Sequence, residues 1–211
     1  RDRRSLEIVR GLGVRREVEV TGDLAFLLQG IGREGRPGDR APTGPTAGIA
    51  VRGLPGDPTS PSGLRRAREI AIAAVGACRA AGLRPVLVPM QHPEDLELAE
   101  AAARATLTSE VVRERLTARE MLALFAGFDL VVGMRLHALI FAAIAGVPLV
   151  GISYDPKVEG VLGELGLSPA TSAETFDGDS LERAVRETWE GQEEMAEQLR
   201  PRVEGMRRAA R

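Results

Sequence analysis

The 211 residues are 44% apolar and 27% charged, enough to bury one large domain core. A formal net charge of −2 supplies no basic field for nucleic acid and no polybasic patch for a membrane. The single cysteine, Cys78, excludes an intrachain disulfide, and no Cys/His cluster has metal-ligand spacing.

Leu6, Ile8, Val9 and Leu12 recur at helical spacing, so 3–12 is predicted helical, ended by Gly11 and Gly13. "VEVTGDLAFLL" (18–28) reads as a strand, a turn at Gly22-Asp23 and a short apolar element, with Asp23 in a plain turn role. Residues 29–46 are rich in Gly, Pro and charge and read as a linker. Strands and helices then alternate. Strands are expected at 47–51, 84–90, 129–134 and 147–154. Helices are expected at 64–81, from Pro93 to about Arg104, and at 118–127, 135–145 and 156–165. Cys78 falls in the Ala-rich helix as a small buried residue. A long charged helix is predicted from about Leu181 to the end, interrupted near Pro201, with Trp189 as a packing anchor.

Strands apolar on both faces, separated by helices, imply a parallel sheet covered on both sides. The expected fold is α/β, a doubly wound Rossmann-like sheet over 46–180. A helical extension follows over 181–211. Residues 31–45 form the linker, and 1–30 read as the remnant of an N-terminal domain. The opening "RDRRSLEIVRGLGV" has no initiator methionine and reads as the inside of a longer chain. No signal peptide is evident, and Gly146, Pro148, Gly151 and Ser153 break the longest apolar run below membrane-spanning length. The expectation is a soluble, cytoplasmic protein.

The run "VVGMRLHALIFAAIAGVPLVGISYDPK" (131–157) raises a functional question. Its helix is apolar all round and therefore buried. Its polar side chains, Arg135 and His137, stand in the first turn, where free N–H groups and the helix dipole favour an anion. Gly133 lets the backbone turn tightly there. The next unit repeats the arrangement: Asp155 as N-cap, Pro156 in the first turn, then Lys157. Adjacent parallel strands would bring Arg135, His137 and Lys157 to one sheet edge. A guanidinium, an ammonium and an imidazole suit a small, highly charged anion and a proton transfer. Each alone has a plainer explanation: an ion pair for Arg135, a structural histidine, a solvated lysine. Further sheet-edge candidates are Arg52, Gln91 and His92. "GIGREG" (30–35) lacks the strand–helix context of a dinucleotide loop.

At "GMRLHALIFAAIAGVPLVGISYDPKV" the chain resembles the polysaccharide pyruvyl transferase family, CsaB type. "VRGL", "QHPEDL", "RD..SL" and "DLAFLL" also look like family segments. The resemblance implies a two-domain GT-B-like fold, of which this chain would be the C-terminal half, with the active site between domains. It implies transfer of pyruvate from phosphoenolpyruvate, as a cyclic ketal, onto N-acetylmannosamine of a lipid-linked cell-wall polymer precursor that anchors S-layer proteins. Phosphoenolpyruvate is then a co-substrate, and no metal or organic cofactor is expected. The partners implied are a lipid-linked or nucleotide-linked sugar acceptor and the N-terminal domain of the same chain. The location implied is cytoplasmic, with peripheral contact at the inner membrane face. Carried over by motif, Arg135 and Lys157 hold phosphoenolpyruvate with Leu136 beside them, His137 is the acid/base, and Arg1 matches a further arginine. Without most of the N-terminal domain, the fragment alone would be inactive. Two other readings stay open: a GT-B glycosyltransferase using a nucleotide sugar, and a non-catalytic anion-binding α/β module.

Overall fold

A computed structural model describes residues 3–28, 44–54, 61–107 and 110–211. Helix α1 (Arg3–Gly11) is followed by a 3₁₀ turn at Leu24–Leu27. The sheet comprises β1 (Thr46–Ala50), β2 (Arg84–Leu87), β3 (Glu110–Val111), β4 (Leu130–Gly133), β5 (Leu149–Ser153) and β6 (Thr171–Ser172). The helices after α1 are α2 (Pro61–Ala80), α3 (Glu94–Thr106), α4 (Ala118–Ala126), α5 (Leu136–Ala145), α6 (Pro156–Glu164), α7 (Gly178–Glu190) and α8 (Gln192–Ala209).

All strand pairs are parallel, in the order β3-β2-β1-β4-β5-β6. This is the doubly wound Rossmann-like α/β sheet expected. Every residue of β1, β4 and β5 is buried, which explains their uninterrupted apolar character. Alternation assigns each residue to one of two layers. Ala50 and Val131 join a core with Met121, Phe125, Leu139, Ile140 and Leu162. Ile49, Leu130 and Val132 join the opposite core with Ile70, Ala74, Leu98, Leu181 and Val185. Full burial of Leu139 or Ile140 contributes about 1.5–3 kcal/mol each. Cys78 lies in the second core with its thiol pushed up to about 12 by burial, so it is inert packing.

Gly48 sits at the middle of β1, where a Cβ would stand 2.5 Å from both Cδ2 and Cε2 of Phe128. The Phe128 ring is buried and packs edge-on against Phe125, with centroids 5.8 Å apart. It has no room to retreat. Gly48→Ala is therefore expected to cost about 1–3 kcal/mol. The midpoint of urea unfolding should fall while the slope stays unchanged.

Several sequence-based expectations need correction. Residues 18–20 do not form a strand, and the apolar element after Asp23 is the 3₁₀ turn. The long C-terminal helix breaks at Gly191, not at Pro201, which lies inside α8. Pro201 and Glu197 are both exposed, so the carbonyl that loses its N–H partner can reach water. Pro93 is the N-cap of α3 rather than its first-turn residue. Strands β3 and β6 have two residues each, too short to show a pattern. The segment 29–43 of the expected linker lies outside the described residues, and Thr46 already belongs to β1.

Candidate functional site

Chain order reverses between β1 and β4: from β1 the chain moves outward to β2 and β3, then returns to the other side. Such a switch point opens a crevice at the carboxyl ends of the strands. A cavity of about 350 Å³ lies there. It is lined by Arg52 after β1, Met90 and Gln91 after β2, Arg135, Leu136 and His137 after β4, and Tyr154 and Lys157 after β5. The structure thus brings Arg135, His137 and Lys157 together, as their spacing predicts, and adds Arg52 and Gln91. His92 is not among the lining residues, and Arg1 lies outside the described residues.

Arg135 is the N-cap of α5, one residue earlier than expected. It is also strongly paired. Asp95, 1% exposed, accepts from Nε at 2.9 Å and from Nη2 at 2.5 Å, a two-pronged contact. The same carboxylate accepts the backbone N–H groups of Met90 and Gln91, at 3.1 and 3.0 Å. A guanidinium this shielded requires a countercharge, and it comes from α3, forty positions away in sequence. Nη1 has no hydrogen-bond partner among the described residues, so it is the edge left for a ligand.

His137 is half exposed and makes no hydrogen bond to a described residue. Its Nε2 stands 3.9 Å from Asp23 Oδ1, a compensating charge whenever the ring is protonated. Asp23 also caps the 3₁₀ turn by accepting from Ala25 N at 3.0 Å. Sequence reasoning gave Asp23 only a turn role and missed its place beside the imidazole.

Lys157 is the only lysine in the chain. Its Nζ lies 3.3 Å from Asp155 Oδ2 and 5.7 Å from the centre of the Tyr154 ring. Arg52 donates from Nη1 to Tyr154 Oη at 3.0 Å and from Nε to the Gly53 carbonyl at 2.9 Å. Tyr154, like Asp95, was missed from the sequence. It fixes Arg52 and faces Lys157. Gly133 also has a different task from the one expected: a Cβ there would approach Leu139 Cδ2 to 2.8 Å, so its smallness lets β4 pack against α5. Arg52, Arg135 and Lys157 line the cavity at two helix N-termini, while the carboxylates nearest these groups, Asp95, Asp155 and, beside His137, Asp23, are not among the lining residues.

The polysaccharide pyruvyl transferase family profile matches residues 1–156 of the 211. The chain belongs to this family. The matched span contains Arg52, Arg135, His137 and Tyr154 of the cavity and ends one residue before Lys157. No curated protein matches the chain. Solved structures of similar fold include WaaG, a glycosyltransferase involved in lipopolysaccharide biosynthesis, at 17% identity and TM-score 0.46. That alignment covers 79% of this chain and 42% of WaaG. The N-terminal domain of Candida albicans trehalose-6-phosphate phosphatase aligns at 12% identity and TM-score 0.49, covering 80% of this chain and 40% of the other. A UDP-forming trehalose-phosphate synthase from Burkholderia xenovorans aligns at 13% and 0.44, covering 78% and 43%. The chain spans about two fifths of the length of these structures.

In this family member the edge of the cavity at α6 is set by one cap. Asp155 accepts from the Lys157 backbone N–H at 2.9 Å. That bond, with smaller help from the Lys157 ammonium and from Arg52, holds the Asp155 carboxyl below the usual aspartate range despite partial burial. A depressed carboxyl stabilises the fold above its unfolded value and loses that contribution as pH falls through its folded value. Asp155→Asn keeps an oxygen for the cap and removes the charge. The variant should be less stable than wild type at neutral pH. The gap should close only below the ordinary aspartate value of about 3.9, as followed by thermal unfolding across an acid pH series.

Proposed function

We propose that this chain carries the anion-binding half of a pyruvyl transferase of the CsaB type, which moves pyruvate from phosphoenolpyruvate onto a sugar as a cyclic ketal. The observation carrying this reading is the cavity at the strand-order switch that joins one imidazole to three cations. Phosphoenolpyruvate presents a carboxylate and a phosphate, and Arg52, Arg135 Nη1 and Lys157 supply complementary charge. Leu136, 5% exposed, offers an apolar patch for the methylene.

The reaction needs protons moved in a fixed order. His137 as imidazolium donates a proton to the methylene carbon, which becomes a methyl group. One sugar hydroxyl adds to the adjacent carbon and gives up its proton, which returns to the imidazole. The imidazolium donates that proton to the phosphate oxygen as the carbon–oxygen bond breaks, hydrogen phosphate departs, and the cations stabilise its charge. A second hydroxyl of the sugar then attacks the same carbon and closes the ring, and its proton returns to the imidazole, which restores the starting imidazolium. Asp23 Oδ1 stands 3.9 Å from Nε2 of His137. Phosphoenolpyruvate itself supplies the activated group, so the step requires neither metal nor organic cofactor. In this reading the chain is the C-terminal half of a GT-B-like enzyme. It works at the cytoplasmic face of the membrane on a lipid-linked N-acetylmannosamine acceptor destined for S-layer anchoring.

The test is incubation of the intact two-domain protein with phosphoenolpyruvate and a lipid-linked N-acetylmannosamine acceptor. One phosphate released per acidic ketal in the product, seen by mass spectrometry, is the expected result. Consumption of a nucleotide sugar without phosphate release from phosphoenolpyruvate would establish a glycosyltransferase instead. Binding of phosphoenolpyruvate with no turnover of any acceptor would leave a non-catalytic anion-binding module.

A further inference from the structure

A second cavity, of about 420 Å³, opens on the other side of Tyr154. The tyrosine lines both cavities. The ion pair at 3.3 Å straddles the same wall, with Lys157 lining the first cavity and Asp155 the second. Charge reverses across this partition. Among the described residues no lysine, arginine or histidine lines the second cavity, whose polar groups include the carboxylates of Asp155, Glu159 and Glu174 and the hydroxyls of Ser153 and Ser172. Leu54 and Ala173 supply apolar surface. Ser153 is 4% exposed and donates to Glu159 Oε1 at 2.7 Å, which fixes that carboxylate at the cavity. Ser172 Oγ accepts the backbone N–H of Glu174 at 3.1 Å and ties the opposite wall to β6.

Such a lining repels an acid phosphate. Among the described residues the carboxylates also do not gather into a metal-binding group. What suits acceptor oxygens arranged beside an aromatic ring and apolar patches is a neutral polyol. Its hydroxyls donate charge-assisted hydrogen bonds to carboxylates, and its C–H faces lie on apolar surface. Joining two neighbouring hydroxyls to one carbon of an acid phosphate brings those hydroxyls into contact with that carbon, so a ring seated here reaches past the edge of Tyr154 into the first cavity, where His137 stands.

We propose that the second cavity holds the sugar ring of the acceptor, with Glu159 and Glu174 accepting hydrogen bonds from hydroxyls that do not react and the reacting pair reaching past Tyr154 into the anion cavity. This assignment rests on the ketal-transfer reading for the identity of the sugar. Both glutamates are exposed, and a glutamine at 159 still accepts from Ser153, so the double variant Glu159→Gln, Glu174→Gln retains the fold.

Two measurements on the intact protein test it. In saturation-transfer NMR with the neutral methyl glycoside of N-acetylmannosamine, wild type should transfer to the sugar ring protons, and the double variant should bind at least about tenfold more weakly. In turnover, KM for the acceptor should rise about tenfold while KM for phosphoenolpyruvate stays constant. Equal glycoside binding by variant and wild type would overturn the assignment, as would no transfer to the sugar in wild type. Wild type that binds the glycoside through these glutamates but releases no phosphate would support the sugar site and overturn the ketal-transfer reading.

Discussion

Replacing His137 with glutamine should lower pyruvyl transfer about 10²–10⁴-fold, the usual range for removal of a general acid–base group. The fold should not notice. The ring is 51% exposed, and its recorded neighbours are Asp23 at 3.9 Å and a tilted Phe141 ring with centroids 6.2 Å apart. A half-exposed side chain that makes no hydrogen bond to a described residue typically changes stability by no more than about 0.5 kcal/mol when replaced. Glutamine keeps polar atoms near the site but cannot shuttle a proton near neutral pH. Phosphoenolpyruvate should therefore still bind, because Arg52, Arg135 and Lys157 are untouched. The combination of preserved binding, preserved unfolding midpoint and lost phosphate release distinguishes a chemical role from a structural one. Full activity in the variant would remove His137 from the mechanism.

Asp95→Ala should produce the opposite pattern, a loss of stability of about 3–5 kcal/mol. Asp95 is 1% exposed and engages four donors: two guanidinium nitrogens of Arg135 and the backbone N–H groups of Met90 and Gln91. Deleting the carboxylate leaves a shielded cation without its partner and two N–H groups without an acceptor. Met90 and Gln91 line the anion cavity, so its β2 side loosens as well. Urea unfolding should show the loss, and calorimetry with phosphoenolpyruvate should show weakened binding. The paired variant Asp95→Leu, Arg135→Met should recover part of the stability, because no charge is left without a partner, and should recover none of the binding. An Asp95→Ala protein as stable as wild type would mean that the Arg135 pair adds nothing to the fold.

The layered α/β architecture was legible because β1, β4 and β5 are buried on both faces and α5 is apolar all round. Those patterns are local and survive in the sequence. The convergence of Arg135, His137 and Lys157 was legible too, since each follows a strand and adjacent parallel strands share an edge. What pairs with them was not. Asp95 stands forty positions before Arg135 in a helix whose first turn also carries Glu94 and Glu97. Nothing in "HPEDLEL" says which acid turns inward. Asp23 reaches His137 from the N-terminal segment, and Tyr154 looks like the last residue of an apolar strand. Ion pairs between distant elements leave no periodic trace. The helix break at Gly191 was misplaced because proline is the stronger local breaker, and only the exposure of Pro201 shows how it is tolerated.

The strand order has a consequence for how this protein comes into being. The central strand β1 and its partner β4 lie 83 residues apart in sequence, as the Ala47–Leu130 register shows. Cavity residues are drawn from position 52 through position 157. No partial chain that stops before α6 owns a complete receptor. Ligand capture therefore reports on the finished sheet, and phosphoenolpyruvate, once bound, should raise the cooperative unfolding temperature of the whole domain rather than quiet one loop.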